Sequence, residues 1–399
     1  MTNPTFAGGL MLAALAVLLP NADSAAAPDG CVPVGRWVQP GEASTRAVPT
    51  DRLFADLGRG RVVLLGEVHD NADHHRWQLQ TIAGLHAVHP KLVLGFEMFP
   101  RRVQQALDRW VAGELSEAKF LELADWRKVW GQEPELYLPI LRFARMNRVP
   151  MLALNVDRGL TRRVGETGWA GIPLGEREGV SDPAPADADY LALLWESFRL
   201  HARPGQPAPR EAPDLAHPGF QNFVDSMLLW DRSMAQGIAE RVARGDGALV
   251  VALMGTGHLE GGHGVARQLG DLGINDAAVL LPWSSAAGCD EIAPHLADAL
   301  FGIEPGADEQ NERPRLGIML DQNQQGVRVQ KVMEGSIAQQ AGLREEDIIE
   351  SIAGRRADDA GDVIDAVQRQ APGTWLPMVV RRGAQTVEIV ARFPPRVQK

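Results

Sequence analysis

The sequence predicts a large α/β domain with a buried parallel sheet, followed by a small α+β domain. Five apolar runs alternate with amphipathic helical stretches along the first part of the chain, which is typical of a parallel sheet covered by helices on both faces. A polar segment that contains Pro and Gly, Glu304–Arg315, then interrupts the pattern. The chain has 399 residues, more than a single hydrophobic core usually contains, which also favours two domains.

Strands and helices alternate through the large domain. The predicted strands are Arg61–Glu67, Leu92–Phe99, Pro150–Val156, Ala248–Gly255 and Ala277–Pro282. The interval between the third and fourth strands is unusually long, from Leu160 to Arg244. In this insertion two helical stretches, Asp187–His201 and Phe220–Arg244, flank a Pro-rich middle. We expect the insertion to form either a lid over one end of the sheet or a surface decoration.

The first residues have the pattern of a secretory signal peptide, which we place at 1–27. An uncharged apolar run, Phe6–Pro20, precedes small residues suited to cleavage, and it is too short for a membrane span. We therefore expect an exported protein, periplasmic or associated with the cell envelope, with no transmembrane span in its mature form. The rest of the chain divides into an α/β domain at 31–290, a linker at 291–313 and a second domain at 314–395.

Charge and cysteine content narrow the class of protein. The net charge is −11, and no basic cluster is visible, so the sequence excludes nucleic acid as a partner.

The chain contains two cysteines, Cys31 and Cys289. Because an isolated pair of cysteines in an oxidising compartment is usually bridged, we predict a disulfide between them. This bond would fasten the start of the mature chain, which otherwise tends to fray.

Polar side chains follow the predicted strands at the point where each strand ends. Glu67 and His69 come directly after the first strand, and Glu97 closes the second. Asn155 ends the third strand, and His258 follows the fourth. In open parallel sheets, ligands bind outside the carboxyl ends of the strands. The sequence therefore predicts one shared site at this edge.

The residue types at this edge are those of a metal site or an acid–base site. Glu67 and His69 are two residues apart, so an extended backbone points both side chains the same way. Glu67, His69 and His258 could hold a divalent transition metal and leave one position open for water. A carboxylate within an apolar strand needs a partner, so a purely structural network between Glu97 and a histidine is the alternative.

Several motifs at these residues resemble those of the ChaN-like haem-binding proteins of the Tiki superfamily. They are GEVHDN, GFEMF, LNVDR, DRSMAQGIAERV and MGTGHLEGGHGV, within Arg61–Leu281. The most specific feature is a pair of Gly-x-x-His motifs, Gly66–His69 and Gly255–His258, with Glu97 between them. The resemblance implies a parallel-sheet Tiki/ChaN-like domain with a long helical insertion.

Haem binding is the first activity that the resemblance implies. ChaN-like proteins bind haem and are linked to iron uptake, and their haem ligation is associated with tyrosine. The chain has two tyrosines, and the candidate haem-binding side chains are Tyr137, Tyr190, His69 and His258. The cleft or the core could contain the tryptophans near the insertion, Trp126, Trp130, Trp195 and Trp230. The resemblance leaves open whether the protein forms a homodimer.

Metal-dependent hydrolysis is the second activity that the resemblance implies. Tiki proteins are metal-dependent proteases that use the same pair of Gly-x-x-His motifs. As a hydrolase the chain would use Glu67, His69, Glu97 and His258, with a divalent metal in place of haem. A third reading is a scaffold in which the histidines are structural.

The C-terminal segment resembles a PDZ domain of the bacterial exported type over Leu316–Val390. Leu316, Gly317 and Ile318 match the loop that binds the terminal carboxylate of a peptide. The resemblance implies that a peptide or protein C-terminus adds a strand to an exposed sheet edge. A domain that docks within its own chain and binds no free peptide is the alternative.

Overall fold

The computed structural model describes residues 31–42, 44–200, 214–304, 314–323 and 326–395. The predicted signal peptide and most of the Pro-rich middle of the insertion lie outside the described residues. Within the described part, one sheet forms in each of the two predicted domains. The fold class that the sequence predicts, a mostly parallel α/β domain followed by a small α+β domain, is confirmed.

An eight-stranded, mostly parallel sheet forms the centre of the large domain. The strands are β1 (Trp37–Gln39), β2 (Arg46–Val48), β3 (Val62–Glu67), β4 (Leu92–Pro100), β5 (Met151–Asn155), β6 (Leu249–Gly255), β7 (Ala277–Ser284) and β8 (Ala299–Ile303). Their order across the sheet is β2-β1-β8-β7-β3-β6-β4-β5. The five predicted strands are confirmed as β3 to β7, and they pair in parallel. β6 lies between β3 and β4, which brings the carboxyl ends of these three strands together.

Helices cover both faces of this sheet. They are α1 (Thr50–Leu57), α2 (Ala72–Val88), α3 (Gln104–Val111), α4 (Glu117–Leu123), α5 (Trp126–Val129), α6 (Pro134–Met146), α7 (Arg158–Thr167), α8 (Ala188–Leu200), α9 (Pro218–Val242) and α10 (Val265–Asp271). In β3, Val63 and Leu65 pack with α1, α2, α3 and α6, whereas Val62 and Leu64 pack with α9 and α10. Burial on both faces explains why the strands are continuous apolar runs.

The insertion is helical as predicted, but its helices have different roles. α8 and α9 match the two predicted helical stretches. α9 contacts β5, β6 and α10, so it covers the sheet and belongs to the core of the domain. α8 packs on α9 through the buried side chains of Tyr190 and Trp195. No helix among the described residues is long and apolar enough to cross a membrane.

The boundary of the large domain lies further along the chain than predicted. β8 falls inside the predicted linker 291–313, yet it pairs in parallel with β7 and antiparallel with β1. The sequence does not predict β1, β2 or β8, because these strands are short, and β1 and β2 are also partly polar. The predicted disulfide between Cys31 and Cys289 is confirmed, with a Cα–Cα distance of 5.4 Å. It ties the segment before β1 to the segment between β7 and β8.

The C-terminal domain is a six-stranded antiparallel sheet with two helices. Its elements are β9 (Ile318–Asn323), β10 (Gly326–Val332), α11 (Ile337–Ala341), β11 (Ile348–Ile352), β12 (Arg355–Arg356), α12 (Ala360–Gln368), β13 (Trp375–Arg382) and β14 (Gln385–Arg392). The main strand order is β14-β13-β11-β10-β9, and β12 pairs with β11. β9 therefore lies at one edge of the sheet, with α12 beside it.

Ion pairs of two arginines, Arg127 and Arg369, join the two domains. Arg127 of α5 donates to Asp359, Asp362 and Asp365, at 2.8 to 3.0 Å. These three carboxylates lie at the start of α12 and along one side of it. The α12 helix is thus joined to the short helix α5 of the large domain.

Candidate functional site

A cleft of about 450 Å³ opens where β3, β4 and β6 end. His69 follows β3, Glu97 lies near the end of β4, and His258 lies in the turn that follows β6. These three side chains line the same cleft. Its other walls come from α5 and its flanks, from the ends of β4 and β5 with the residues that follow them, and from α9. The residues are Met98, Pro100, Arg102, Asp125, Lys128, Val129, Trp130, Gln132, Asn155, Val156, Asp157, Arg158 and Trp230.

His69 is held by a hydrogen-bond chain that begins at Tyr137. The Tyr137 hydroxyl donates to Glu67 Oε1 at 2.5 Å. The same oxygen accepts from His69 Nδ1 at 2.9 Å. The Glu67 side chain is fully buried, so water does not share these bonds. Because Nδ1 faces a carboxylate, His69 carries a proton there and has Nε2 available for a ligand.

Local bonds from α2 fix Glu67 and the loop that carries His69. The Asn71 side chain accepts from two backbone N–H groups and caps α2, a contact that stabilises a helix by about 1 kcal/mol. His75 Nε2 donates to the backbone carbonyl of His69 at 3.0 Å. Gln78 donates to Glu67 Oε2 at 2.9 Å. Both oxygens of Glu67 are therefore hydrogen-bonded within the protein.

His258 is held by an equivalent chain from the insertion. Tyr190 of α8 donates its hydroxyl proton to Asp231 Oδ2 at 2.7 Å. Asp231 of α9 accepts from His258 Nδ1 through its other oxygen, also at 2.7 Å. The Asp231 side chain is fully buried. The two tyrosines of the sequence thus play the same role: each donates to the carboxylate that accepts from one of the two Gly-x-x-His histidines.

Glu97 compensates the charge of His258. Glu97 Oε1 lies 3.5 Å from His258 Nε2, and Glu97 Oε2 accepts from the Gly255 backbone N–H at 2.7 Å. Burial raises the pKa of Glu97, but the charge and hydrogen bond of His258, the charge of His69 and the Gly255 N–H together outweigh burial, so the net pKa is lowered. Burial lowers the pKa of His258, but Glu97 and Asp231 outweigh it and raise that pKa to about 10. At neutral pH His258 is therefore a cation with carboxylates at both ring nitrogens.

His69 is the more accessible of the two histidines. Its side chain is 35% exposed, whereas that of His258 is 7% exposed. The Trp130 ring packs edge-on against His69, with 4.6 Å between ring centroids. Burial lowers the pKa of His69, but the hydrogen bond to Glu67 and the charge of Glu97 raise it overall. His69 is thus a fixed imidazole with an open side towards the cleft.

The walls of the cleft combine aromatic rings with exposed cations. Trp130 and Trp230 line it, whereas Trp126 and Trp195 are buried in hydrophobic clusters. The exposed cations that line the cleft are Arg102, Lys128 and Arg158. Arg102 donates to Asp125 and Asp157, which fixes its position. Apolar walls with a few placed polar groups are typical of small-molecule sites.

The match to known proteins covers both domains. Residues 53–269, more than half of the chain, match the family described as haem-binding uptake, Tiki superfamily, ChaN. The chain belongs to this family. Residues 328–382 match the PDZ domain family.

A solved structure of cofacial haem binding to ChaN of Campylobacter jejuni aligns with a TM-score of 0.53 and 17% identity, over 66% of this chain and 95% of that chain. At this identity the likeness shows the fold alone.

Two curated proteins match a shorter part of the chain. Serine protease HTRA1 of Xenopus tropicalis is 38% identical over 68 residues, and serine protease HTR4 of Rattus norvegicus is 44% identical over 62 residues. These matches cover 17% and 16% of this chain, and 14% and 12% of the two proteases. The chain thus spans a small part of the length of these relatives.

Neither tyrosine of the ChaN-like domain lines the cleft. Tyr137 is 0% exposed and Tyr190 is 1% exposed, and each hydroxyl donates to a carboxylate. This burial does not fit the role of iron ligand that the sequence suggested for each, because a ligand oxygen must face the iron. Both tyrosines instead hold the carboxylates that orient the two histidines.

The predicted metal set of Glu67, His69 and His258 does not converge in the ChaN-like domain. Tyr137, His69 and Gln78 use both oxygens of Glu67, and His258 Nε2 faces Glu97. No group of three His, Cys, Asp or Glu side chains is arranged to hold a metal ion in the part of the chain that the structure describes.

Asp231 is the main site residue that the sequence did not single out, although it begins the DRSMAQGIAERV motif. The sequence around Asp231 does contain a feature that could have identified it. Asp231 lies between the apolar Leu229 and Met234 on a helix that covers the sheet, and it is 0% exposed. A buried acid among apolar neighbours needs a partner. The partners, Tyr190 and His258, lie far from it in sequence.

The predicted carboxylate-binding loop of the PDZ domain leads directly into the edge strand β9. Gly317 has φ of +76°, and a Cβ at this position would lie 2.4 Å from the Cβ of Ser336. Glycine is therefore required here. Leu316 is buried beneath the loop, and Ile318 begins β9. An edge strand beside a helix is the surface to which peptides add in PDZ domains.

Proposed function

We propose that the protein is an exported haem-binding protein of the cell envelope that holds haem in the cleft with His69 as the iron ligand. One observation carries the proposal: His69 Nδ1 is bonded to Glu67, and its ring is open to a cleft lined by tryptophans and cations. Membership of the ChaN family supports haem as the cofactor. Haem would supply the iron, and the His69 imidazole is a type of ligand that holds haem iron in proteins.

The donor atoms at the cleft favour His69 over the other candidate ligands. His258 Nε2 faces Glu97, and its pKa of about 10 keeps a proton on the nitrogen that iron would need. Tyr137 and Tyr190 donate their hydroxyls to buried carboxylates. Among these four residues, His69 alone combines a partly exposed ring with a far nitrogen already bonded to a carboxylate.

The remaining cleft residues fit the rest of a haem molecule. Trp130 and Trp230 would pack on the flat macrocycle. The cations Arg102, Lys128 and Arg158 would pair with its propionate carboxylates, and the planar fork of arginine suits carboxylates well. The charge of Glu97 is compensated by His258, so it does not oppose an anionic ligand as an isolated carboxylate would.

We further propose that the PDZ domain binds the C-terminus of a peptide or protein of the cell envelope. The edge strand β9 and Gly317 support this role. Export rests on the predicted signal peptide. With both activities, the chain would hold haem at a location set by its peptide partner, consistent with a part in iron uptake.

A metal-dependent hydrolase is the second candidate, and one observation favours it. Glu97, His69 and His258 line one cleft, and Glu97 and His258 form a buried acid–base pair. A hydrolase needs a bound metal or a general base within reach of a substrate. Such an activity would require a divalent metal and would be lost in Glu97→Gln.

Titration of haemin into the purified full chain tests the first proposal. We expect a saturable Soret band that is shifted from that of free haemin and is lost or shifted in His69→Ala. The matched control is His86→Ala, because His86 packs on Phe143 of α6 and does not line the cleft. A wild-type chain without a saturable band, or a His69→Ala variant with an unchanged band and affinity, would contradict the proposal.

A further inference from the structure

The two tyrosines of the chain occupy equivalent places behind the cleft. Tyr137 donates to Glu67, which bonds His69, and Tyr190 donates to Asp231, which bonds His258. The two hydrogen-bond chains differ in two respects. Tyr137 and His69 share one oxygen of Glu67, whereas Tyr190 and His258 bond different oxygens of Asp231. His69 is also more exposed to the cleft than His258. A hydroxyl behind a carboxylate does not touch a ligand in the cleft, yet it changes how strongly the carboxylate pulls on the histidine proton.

We propose that Glu67 is the positioning residue that sets how strongly His69 donates electrons to haem iron, and that Tyr137 weakens this effect. The proposal rests on the proposed function, in which His69 Nε2 is the iron ligand. A carboxylate that accepts a proton from the far nitrogen of a ligating histidine fixes the ring and makes the ligand more basic. Hydrogen bonds of this kind are among the features that set the reduction potential of haem.

The two carboxylate oxygens of Glu67 accept hydrogen bonds from three side chains. Oε1 accepts from both Tyr137, at 2.5 Å, and His69, at 2.9 Å, so the two donors compete for the same oxygen. Oε2 accepts from Gln78 at 2.9 Å. Glu67 and Tyr137 are both buried, so water does not bond these groups and does not weaken the competition between the two donors. Loss of the Tyr137 hydroxyl would therefore leave a stronger bond between Glu67 and His69.

The reduction potential of the haem-loaded full chain tests this inference. Glu67→Gln keeps an oxygen that can accept from His69 Nδ1 but removes the negative charge, so we expect the Fe(III)/Fe(II) potential to rise. Tyr137→Phe removes the competing donor, so we expect the potential to fall. Opposite shifts identify a tuned hydrogen bond, because loss of a merely structural contact would not move the potential in opposite directions.

Tyr190→Phe is the matched comparison, since it removes the equivalent hydroxyl behind His258. The expected shift is smaller than that of Tyr137→Phe. Equal shifts at the two tyrosines, or shifts of the same sign in Glu67→Gln and Tyr137→Phe, would overturn the proposal. If Glu67→Gln fails to fold, Tyr137→Phe decides: a lower potential supports the proposal, and an unchanged or higher potential overturns it.

The failure of this inference can be told apart from failure of the proposed function. If the wild-type chain binds no haemin, both fail together. If it binds haemin with a His69-dependent Soret band but the potentials do not shift as stated, only the role of Glu67 and Tyr137 fails.

Discussion

Tyr190 donates its hydroxyl proton to Asp231 at 2.7 Å, so a residue of the insertion helix α8 bonds the carboxylate that holds a cleft histidine. Asp231 also accepts from His258. The insertion therefore does more than decorate the sheet, because it supplies both groups that hold one of the cleft histidines. Its helix α9, which carries Asp231, is also part of the core.

Removal of the Asp231 carboxylate is expected to destabilise the fold strongly. Asp231→Ala leaves His258 without its closest counter-charge and Tyr190 without an acceptor, and breaking a buried ion pair costs about 3–5 kcal/mol. Urea unfolding measures the change. The control is Glu240→Ala on the exposed side of α9, which we expect to stay within about 0.5 kcal/mol of wild type. A loss below about 1 kcal/mol in Asp231→Ala would contradict the buried pair.

The raised pKa of His258 predicts that stability falls at alkaline pH. Its pKa is about 10 in the folded protein, against about 6.5 in an unfolded chain. The stabilisation is fully present below about pH 6.5 and is lost as the pH rises through about 10, because the folded state retains this proton longer. The free energy of unfolding, measured at pH 6 and pH 9, should fall more in wild type than in His258→Gln. Equal falls would count against a charged His258.

The disulfide predicts that no thiol is free in the mature protein. Cys31 and Cys289 should both escape labelling in the denatured, unreduced chain. Replacement of both by Ser should lower the free energy of unfolding by about 2–4 kcal/mol, because the bond closes a long loop in the unfolded chain. Mass spectrometry of labelled protein gives the first result and urea unfolding the second. Two labelled thiols in wild type would exclude the bond.

The contact between the domains predicts that Arg127 helps to hold the PDZ domain against the large domain. Arg127→Ala removes three ion pairs with α12 and leaves the ion pair of Arg369 with Glu135, which is longer at 3.4 Å. We expect a larger radius of gyration in small-angle X-ray scattering. Arg142→Ala, which breaks only a pair with Glu117 inside the large domain, is the control. Identical scattering from Arg127→Ala and wild type would show that this contact does not hold the domains together.

The strands that carry the site could be predicted because they are buried on both faces. Residues 92–96 of β4 are apolar throughout, and the polar residue that follows them, Glu97, lies at the ligand-binding edge of the sheet. β2 could not be predicted, since two of its three residues are exposed and so short a strand shows no period. β8 follows a polar stretch and forms a strand only because β7 and β1 lie on either side of it.

The cleft histidines could be predicted, but the carboxylates and hydroxyls behind them could not. His69 and His258 follow strands that end at the same edge, which the sequence shows directly. The roles of Tyr137 and Tyr190 depend on where their hydroxyls point, and each bonds a carboxylate more than forty residues away. Sequence patterns locate helices and strands, whereas such long-range side-chain bonds follow from the packed structure.

Rescue of His69→Gly by imidazole tests the iron ligand most directly. The variant would leave a gap beside the proposed haem position that free imidazole can fill, since Trp130 and the rest of the cleft remain. We predict that haemin added to His69→Gly gives an altered Soret band, and that added imidazole restores the wild-type position with saturation. His258→Gly should show no such rescue. A wild-type band in His69→Gly without imidazole, or rescue in His258→Gly alone, would contradict ligation of haem iron by His69.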